Sequence, residues 1–254
     1  MTLVLKEQID LERAAWAFAL PDIEFEELMW NETDEAQGEK EMSKETHIRE
    51  MKKCLKFHLE KQAPVEVKYN YSRNMKTDGR LFAQGYGLAK MKRIARGFLC
   101  STFYNDYDMK NAHPTIIRYV MKHFYKVDFI KEFPALNDYI EQREEFLEHA
   151  GLTKVDVLKT LNGNFDRQFA NHRANRINQE FLIIQNKLWN ELPVELQKYS
   201  VYKKTGKNKK GKFINAIMCI FENEILMKVY NYYKEKYPEE EMVASLIFDG
   251  LHLS

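Results

Sequence analysis

A chain of 254 residues that is 44% hydrophobic and 13% aromatic can bury a sizeable core, which excludes a disordered polymer. Its charged residues, 30% of the total, cancel to a formal net charge of +1, so bulk charge selects no acidic partner and only local patches could. Cys54, Cys100 and Cys219 are odd in number and far apart, which excludes a disulfide framework and points to a reducing compartment, cytoplasmic or nuclear. No secretory h-region opens the sequence, and no apolar run approaches the roughly 20 residues of a membrane span.

Residues 5–20 (LKEQIDLERAAWAFAL) carry apolar side chains at helical spacing and stop before Pro21, which predicts a first helix. An acidic stretch from Glu24 to Glu41 follows and reads as partly loop. Ser43 and Thr46 open a second helix, which ends before Pro64. These elements define an N-terminal helical region over 1–63, and the rest of the chain, 64–254, reads as one domain. VEVKYNYSRNM alternates in the manner of a strand. FYNDYDMK, residues 103–110, reads as a short strand, and Pro114 stands where a helix can begin. Helices are predicted over about 135–149, 153–163, 166–191 and 213–236. MVASLIFDGLHLS then gives an apolar strand, an Asp-Gly turn and the start of a return strand. So short a second strand predicts further chain and further domains after Ser254. The fold class is α+β, a small antiparallel sheet surrounded by many helices.

Three segments carry chemistry. In DYDMKNAHPTII, Asp106 and Asp108 share one strand face at the entry to a helix, a placement that suits metal-binding carboxylates and equally a turn aspartate. In KTLNGNF, Lys159 can offer a point charge to a phosphate, while the Asn-Gly pair serves equally as a helix stop. In LIFDGLHL, Asp249 stands at a hairpin tip, where Asp-Gly also satisfies turn geometry alone.

Taken in this order, the segments resemble DNA polymerase motifs. DMKNAHPTII is similar to the first palm motif of family B polymerases, with Asp108 as the metal-binding aspartate and His113 in place of the usual tyrosine. KTLN is similar to the lysine-bearing helix of family A enzymes, which would set Lys159 and Asn162, with His113, at the incoming nucleotide. FDGL is similar to the third family A motif, whose His-Asp-Glu is here Phe248-Asp249-Gly250. With GRLFAQGYGLAKMKRIARG ahead of them, these motifs resemble the polymerase-related replication proteins of phages and large DNA viruses. The resemblance implies a palm in which Asp108 and Asp249 hold two Mg²⁺ or Mn²⁺ ions and Lys159 assists catalysis. Its substrates would be nucleoside triphosphates and a template–primer of DNA, or of RNA.

Two basic segments suit such a partner. Residues 68–96 interleave Arg80, Lys90, Lys92, Arg93 and Arg96 with Tyr69, Tyr71, Phe82 and Tyr86, which supports phosphate contact and base stacking. Residues 203–212 hold six lysines around Gly206 and Gly211, read as a mobile loop. Template-directed nucleotidyl transfer leads the readings. A non-catalytic palm-derived binding module of a larger replication initiator or helicase, and a metal-dependent nuclease, are the alternatives.

Overall fold

The computed structural model describes residues 2–29, 44–62, 64–71, 79–163, 168–238, 242–247 and 250–254. The chain is α+β, as its sequence predicts, and forms two compact units. One comprises Met1–Met109 with Asn223–Ser254, and the other Lys110–Glu222.

The first unit begins with a strand, β1 (Leu3–Glu7), where the sequence predicts a helix from residue 5. The helix α1 (Leu11–Ala19) starts later because the Asp10 carboxylate accepts the Arg13 backbone N–H at 3.0 Å and caps it. A helix α2 (Asp22–Met29) occupies the start of the acidic stretch; residues 30–43, Ser43 among them, lie outside the described residues. Helix α3 (Lys44–Lys61) ends ahead of Pro64 as predicted. Strands β2 (Val65–Tyr71) and β3 (Leu81–Ala83) follow, then a 3₁₀ turn over Leu88–Lys90 and helix α4 (Arg93–Cys100). The strand predicted over 103–110 is confined to β4 (Asn105–Asp108).

The second unit is helical: α5 (Ala112–His123), α6 (Phe129–Glu132), α7 (Pro134–Glu141), α8 (Arg143–Ala150), α9 (Lys154–Asn162) and α10 (His172–Asn190), then a 3₁₀ helix over Val194–Tyr202. The single helix predicted over 135–149 is broken at Gln142, whose φ of −131° and ψ of 55° are not helical. The helix predicted from 166 starts at His172 because the Asn171 side chain accepts the N–H groups of Arg173 and Ala174. Helix α11 (Lys209–Lys236) begins four residues ahead of its predicted start, so Lys209, Lys210 and Lys212 are helical rather than part of a loop. At α7, the buried Glu180 carboxylate of α10 accepts the N–H groups of Ala135 and Leu136, satisfying donors that a helix start leaves open. Strands β5 (Ala244–Ile247) and β6 (Gly250–Leu253) form the predicted terminal hairpin and belong to the first unit.

Both sheets are antiparallel and three-stranded, with orders β1-β2-β3 and β4-β6-β5. They share one core: Leu5, Val65 and Val67 from the first pack with Ala244, Leu246 and Leu251 from the second. Inside that core lies a carboxylate. Glu7 is fully buried, accepts the Leu88 N–H at 2.7 Å and the Tyr69 hydroxyl, and sits below Gly87. A Cβ on Gly87 would fall 2.7 Å from the Ala83 Cβ and 2.9 Å from Val67 Cγ1, so the close approach requires glycine. The Tyr69 hydroxyl also meets Ser245 Oγ at 3.1 Å and accepts the Leu246 N–H, which joins the two sheets through polar contacts as well as apolar ones.

Burial pushes the Glu7 carboxyl from its usual 4.5 up to about 7, against the lowering effect of its hydrogen bonds. Folded protein therefore keeps a proton that the unfolded chain releases between these values, so Glu7 lowers stability as pH rises through that window. Burial works oppositely on His58, whose imidazole falls to about 4, so stability is lost as pH drops from 6.5 toward that value. We expect Glu7→Gln to remove the loss on the alkaline side. Denaturation should find the variant more stable than wild type at pH 8 by on the order of 2–3 kcal/mol, with little difference at pH 4.5. Equal pH dependence in the two proteins would refute the assignment.

Candidate active site

Strand β4 is an edge strand in which all four residues are exposed. Alternation sets Asp106 and Asp108 on one face, and the register sets them opposite His252 and Gly250 of β6. The two motif segments that sequence order alone links are thus on hydrogen-bonded neighbouring strands. Asp249 and Phe248 lie outside the described residues. Gly250 is buried and closely approached: a Cβ there would stand 3.3 Å from the Ile247 carbonyl oxygen and 3.7 Å from Asp108 Oδ1, so the strand backbone passes close beside the Asp108 side chain.

Asp106 is held differently. Its Oδ1 lies 3.4 Å from His252 Nε2, with the aspartate side chain 61% exposed and the histidine 14%. The Tyr104 ring lies 5.7 Å from the His252 ring, and the Tyr104 hydroxyl accepts the Gln8 N–H at 2.6 Å. Tyr107, on the opposite face, meets the Tyr233 hydroxyl of α11 at 3.0 Å. The sequence does not flag His252 because its partner stands on a strand far away in the chain.

The basic residues expected at nucleic acid divide by setting. Arg93 and Lys90 are exposed, while Arg80, Lys92 and Arg96 are half-buried. Arg96 donates to the Met91 carbonyl, so it also holds the turn ahead of α4. In the second unit, Lys159 is exposed in the last turn of α9. The Asn162 carbonyl accepts the Asn208 side-chain amide at 2.8 Å, which fixes the end of α9 against the start of α11. His113 is buried with its Nε2 3.1 Å from Glu222 Oε2, and its environment is a polar pair rather than open surface. Lys203 lies over the rings of Trp189 and Phe213, and Lys209 over Trp189, so part of the lysine-rich segment is braced by cation–π contacts. Among the described residues no helix is long and apolar enough to cross a membrane.

No protein-family model matches the chain, and no solved structure matches it. Its sequence is similar to that of a protein of Sputnik virophage named "Putative helicase V13". The two are 26% identical over 209 residues, a match that takes in 74% of this chain and 25% of the virophage protein.

Burial holds the His252 imidazole below its usual range and Arg96 adds to the lowering, while Asp106 works against both. Asp106→Asn removes the opposing charge, so the His252 titration followed by NMR should move to still lower pH. A titration that stays in place or rises would break the Asp106–His252 pair.

Proposed function

We propose that this chain is the palm-bearing part of a viral replication protein that adds nucleotides to a primer on a template. The observation that carries the reading is the register: Asp108 stands directly opposite Gly250, the residue that follows Asp249 in sequence. In this reading Asp108 and Asp249 hold the catalytic Mg²⁺ or Mn²⁺ ions. The donor chemistry fits: an exposed strand carrying carboxylate oxygens beside a side-chain-free glycine suits hard cations that keep water ligands. Ions bound there would stabilise charge on the attacking and leaving oxygens of phosphoryl transfer. The chain's own residues orient the partners. His252 holds Asp106 toward β6, and in this reading Asp108 is the metal carboxylate of that face. Lys90, Lys92 and Arg93 supply phosphate contacts along the template–primer, and Lys159 offers an exposed point charge of the kind that suits a nucleotide phosphate.

The name of the virophage relative raises a helicase motor, which needs a phosphate-binding loop between a strand and a helix. One segment has that spacing, Gly206 to Lys212, but Phe213 stands where serine or threonine would bind the metal. A 3₁₀ helix and loop precede it, α11 has already begun at Lys209, and a Cβ on Gly211 would fall 2.0 Å from the Asn162 carbonyl oxygen. This turn is packed against the end of α9, which argues against its cradling a phosphate. We therefore assign the chain a replication role that accompanies a motor rather than the motor itself. The second reading, a palm kept only for binding nucleic acid, is favoured by Phe248 and Gly250 where family A polymerases carry histidine and glutamate beside the aspartate.

Primer extension separates them. With primed template, Mg²⁺ or Mn²⁺ and nucleotides, wild type should extend the primer, while Asp108→Asn and Asp249→Asn should bind equally and extend nothing. Extension by wild type no better than by the variants would end the catalytic reading in favour of the binding module. Binding has its own check in Arg93→Ala, which should weaken affinity for all sequences and reduce the salt slope of log K by about 1 without a change in melting. An unchanged slope would remove Arg93 from the interface.

A further inference from the structure

The second unit encloses three side chains that the polymerase reading does not use as a group. His113 lies in the first turn of α5, and Cys219 and Glu222 lie one turn apart on α11, a spacing that sets them on the same helix face. All three are buried, Glu222 completely. His113 Nε2 and Glu222 Oε2 are 3.1 Å apart, and the donor atoms of the three residues all lie within 4.8 Å of one another. Between the two α11 residues, Phe221 packs against the rings of Tyr119, Phe124 and Tyr199, which fixes the rotation of the helix and so the aim of its neighbours.

A carboxylate taken fully out of water is costly unless positive charge goes with it. Imidazole provides that charge only when protonated. A divalent ion provides it while imidazole is neutral, and binds the thiolate as well. We propose that His113, Cys219 and Glu222 form a binding site for one Zn²⁺-class ion. The donor set selects the class: one nitrogen, one sulfur and one oxygen suit the borderline-soft, four-coordinate Zn²⁺ or Co²⁺, whereas Mg²⁺ requires six oxygens. Three protein ligands leave the fourth position to water or to an exogenous group. Because the ligands stand on helices rather than loops, the ion clips the start of α5 to α11 and stabilises the helical unit. Its affinity falls at low pH, where protons compete for thiolate and imidazole.

Cobalt tests the site, because a thiolate–cobalt bond has a charge-transfer absorption that carboxylate coordination lacks. The full chain, stripped with a chelator and titrated with Co²⁺, should bind about one ion per chain with that band, and Zn²⁺ should displace it. Cys219→Ser should abolish the band. Glu222→Gln should keep the band but weaken affinity by more than the roughly 10–100-fold that loss of an outer-shell partner costs. Cys54→Ser and Cys100→Ser should retain the full band, since both thiols sit in the apolar core of the first unit, where burial pushes Cys100 up to about 12 and Cys54 higher still. Asp108→Asn should also retain it while losing primer extension, which keeps this site apart from the polymerase reading. Should Cys219→Ser fail to fold, His113→Gln takes its place with the same expected loss of affinity. Folded wild type that shows no charge-transfer band with Co²⁺, or a band that survives in Cys219→Ser, would overturn the proposal and leave His113 and Glu222 as a hydrogen-bonded pair.

Discussion

The buried carboxylate of Glu7 ties the first unit together. It accepts a backbone N–H from the 3₁₀ turn and a hydroxyl from β2, and that hydroxyl reaches on to β5. A buried carboxyl group of this kind is weak evidence for stability, since desolvation offsets much of what its partners return. Its effect is geometric. Tyr69 can satisfy Glu7, Ser245 and Leu246 together only when the two sheets stand in one relative position. That position carries β5, hence β6 by its ladder, hence β4 and the aspartates on its outer edge. Gly87 belongs to the same constraint, because any side chain there would push the turn away from Val67 and Ala83.

How much of this the sequence discloses depends on how local each cause is. β2 is legible because VEVKY alternates without interruption, and the terminal hairpin is legible because Asp-Gly punctuates two apolar runs. β1 is concealed: LVLKE runs directly into a segment with helical spacing, and what makes it a strand is pairing with residues on the far side of α3. The break at Gln142 leaves no proline or glycine to announce it, and the late start of α10 depends on which of several polar residues takes the cap. At the site, the segments of Asp108 and Gly250 are legible as short strands, and the fold pairs them. The partners of Asp106 and His113 are not legible, because a histidine on a remote strand and a glutamate deep in a long helix give no signal until the fold is known.

The two groups of candidate ligands obey different solvation rules. Carboxylates on an exposed strand are hydrated when empty, so an ion there can come and go with substrate at little cost. A thiol, an imidazole and a carboxylate enclosed together lack that refuge, and an ion among them is retained rather than exchanged. One chain would then hold a working cation at its surface and a resident one within its helices.

The position of β4 at the sheet edge has a further consequence. An edge strand offers unpaired backbone groups that a strand from another molecule could extend, and inward or flanking charges are a common defence against such growth. Asp106 and Asp108 sit on that edge, so two copies meeting there would bring four carboxylates together. The acidity of that edge therefore opposes such pairing, and a basic partner or a cation placed there would relax the repulsion.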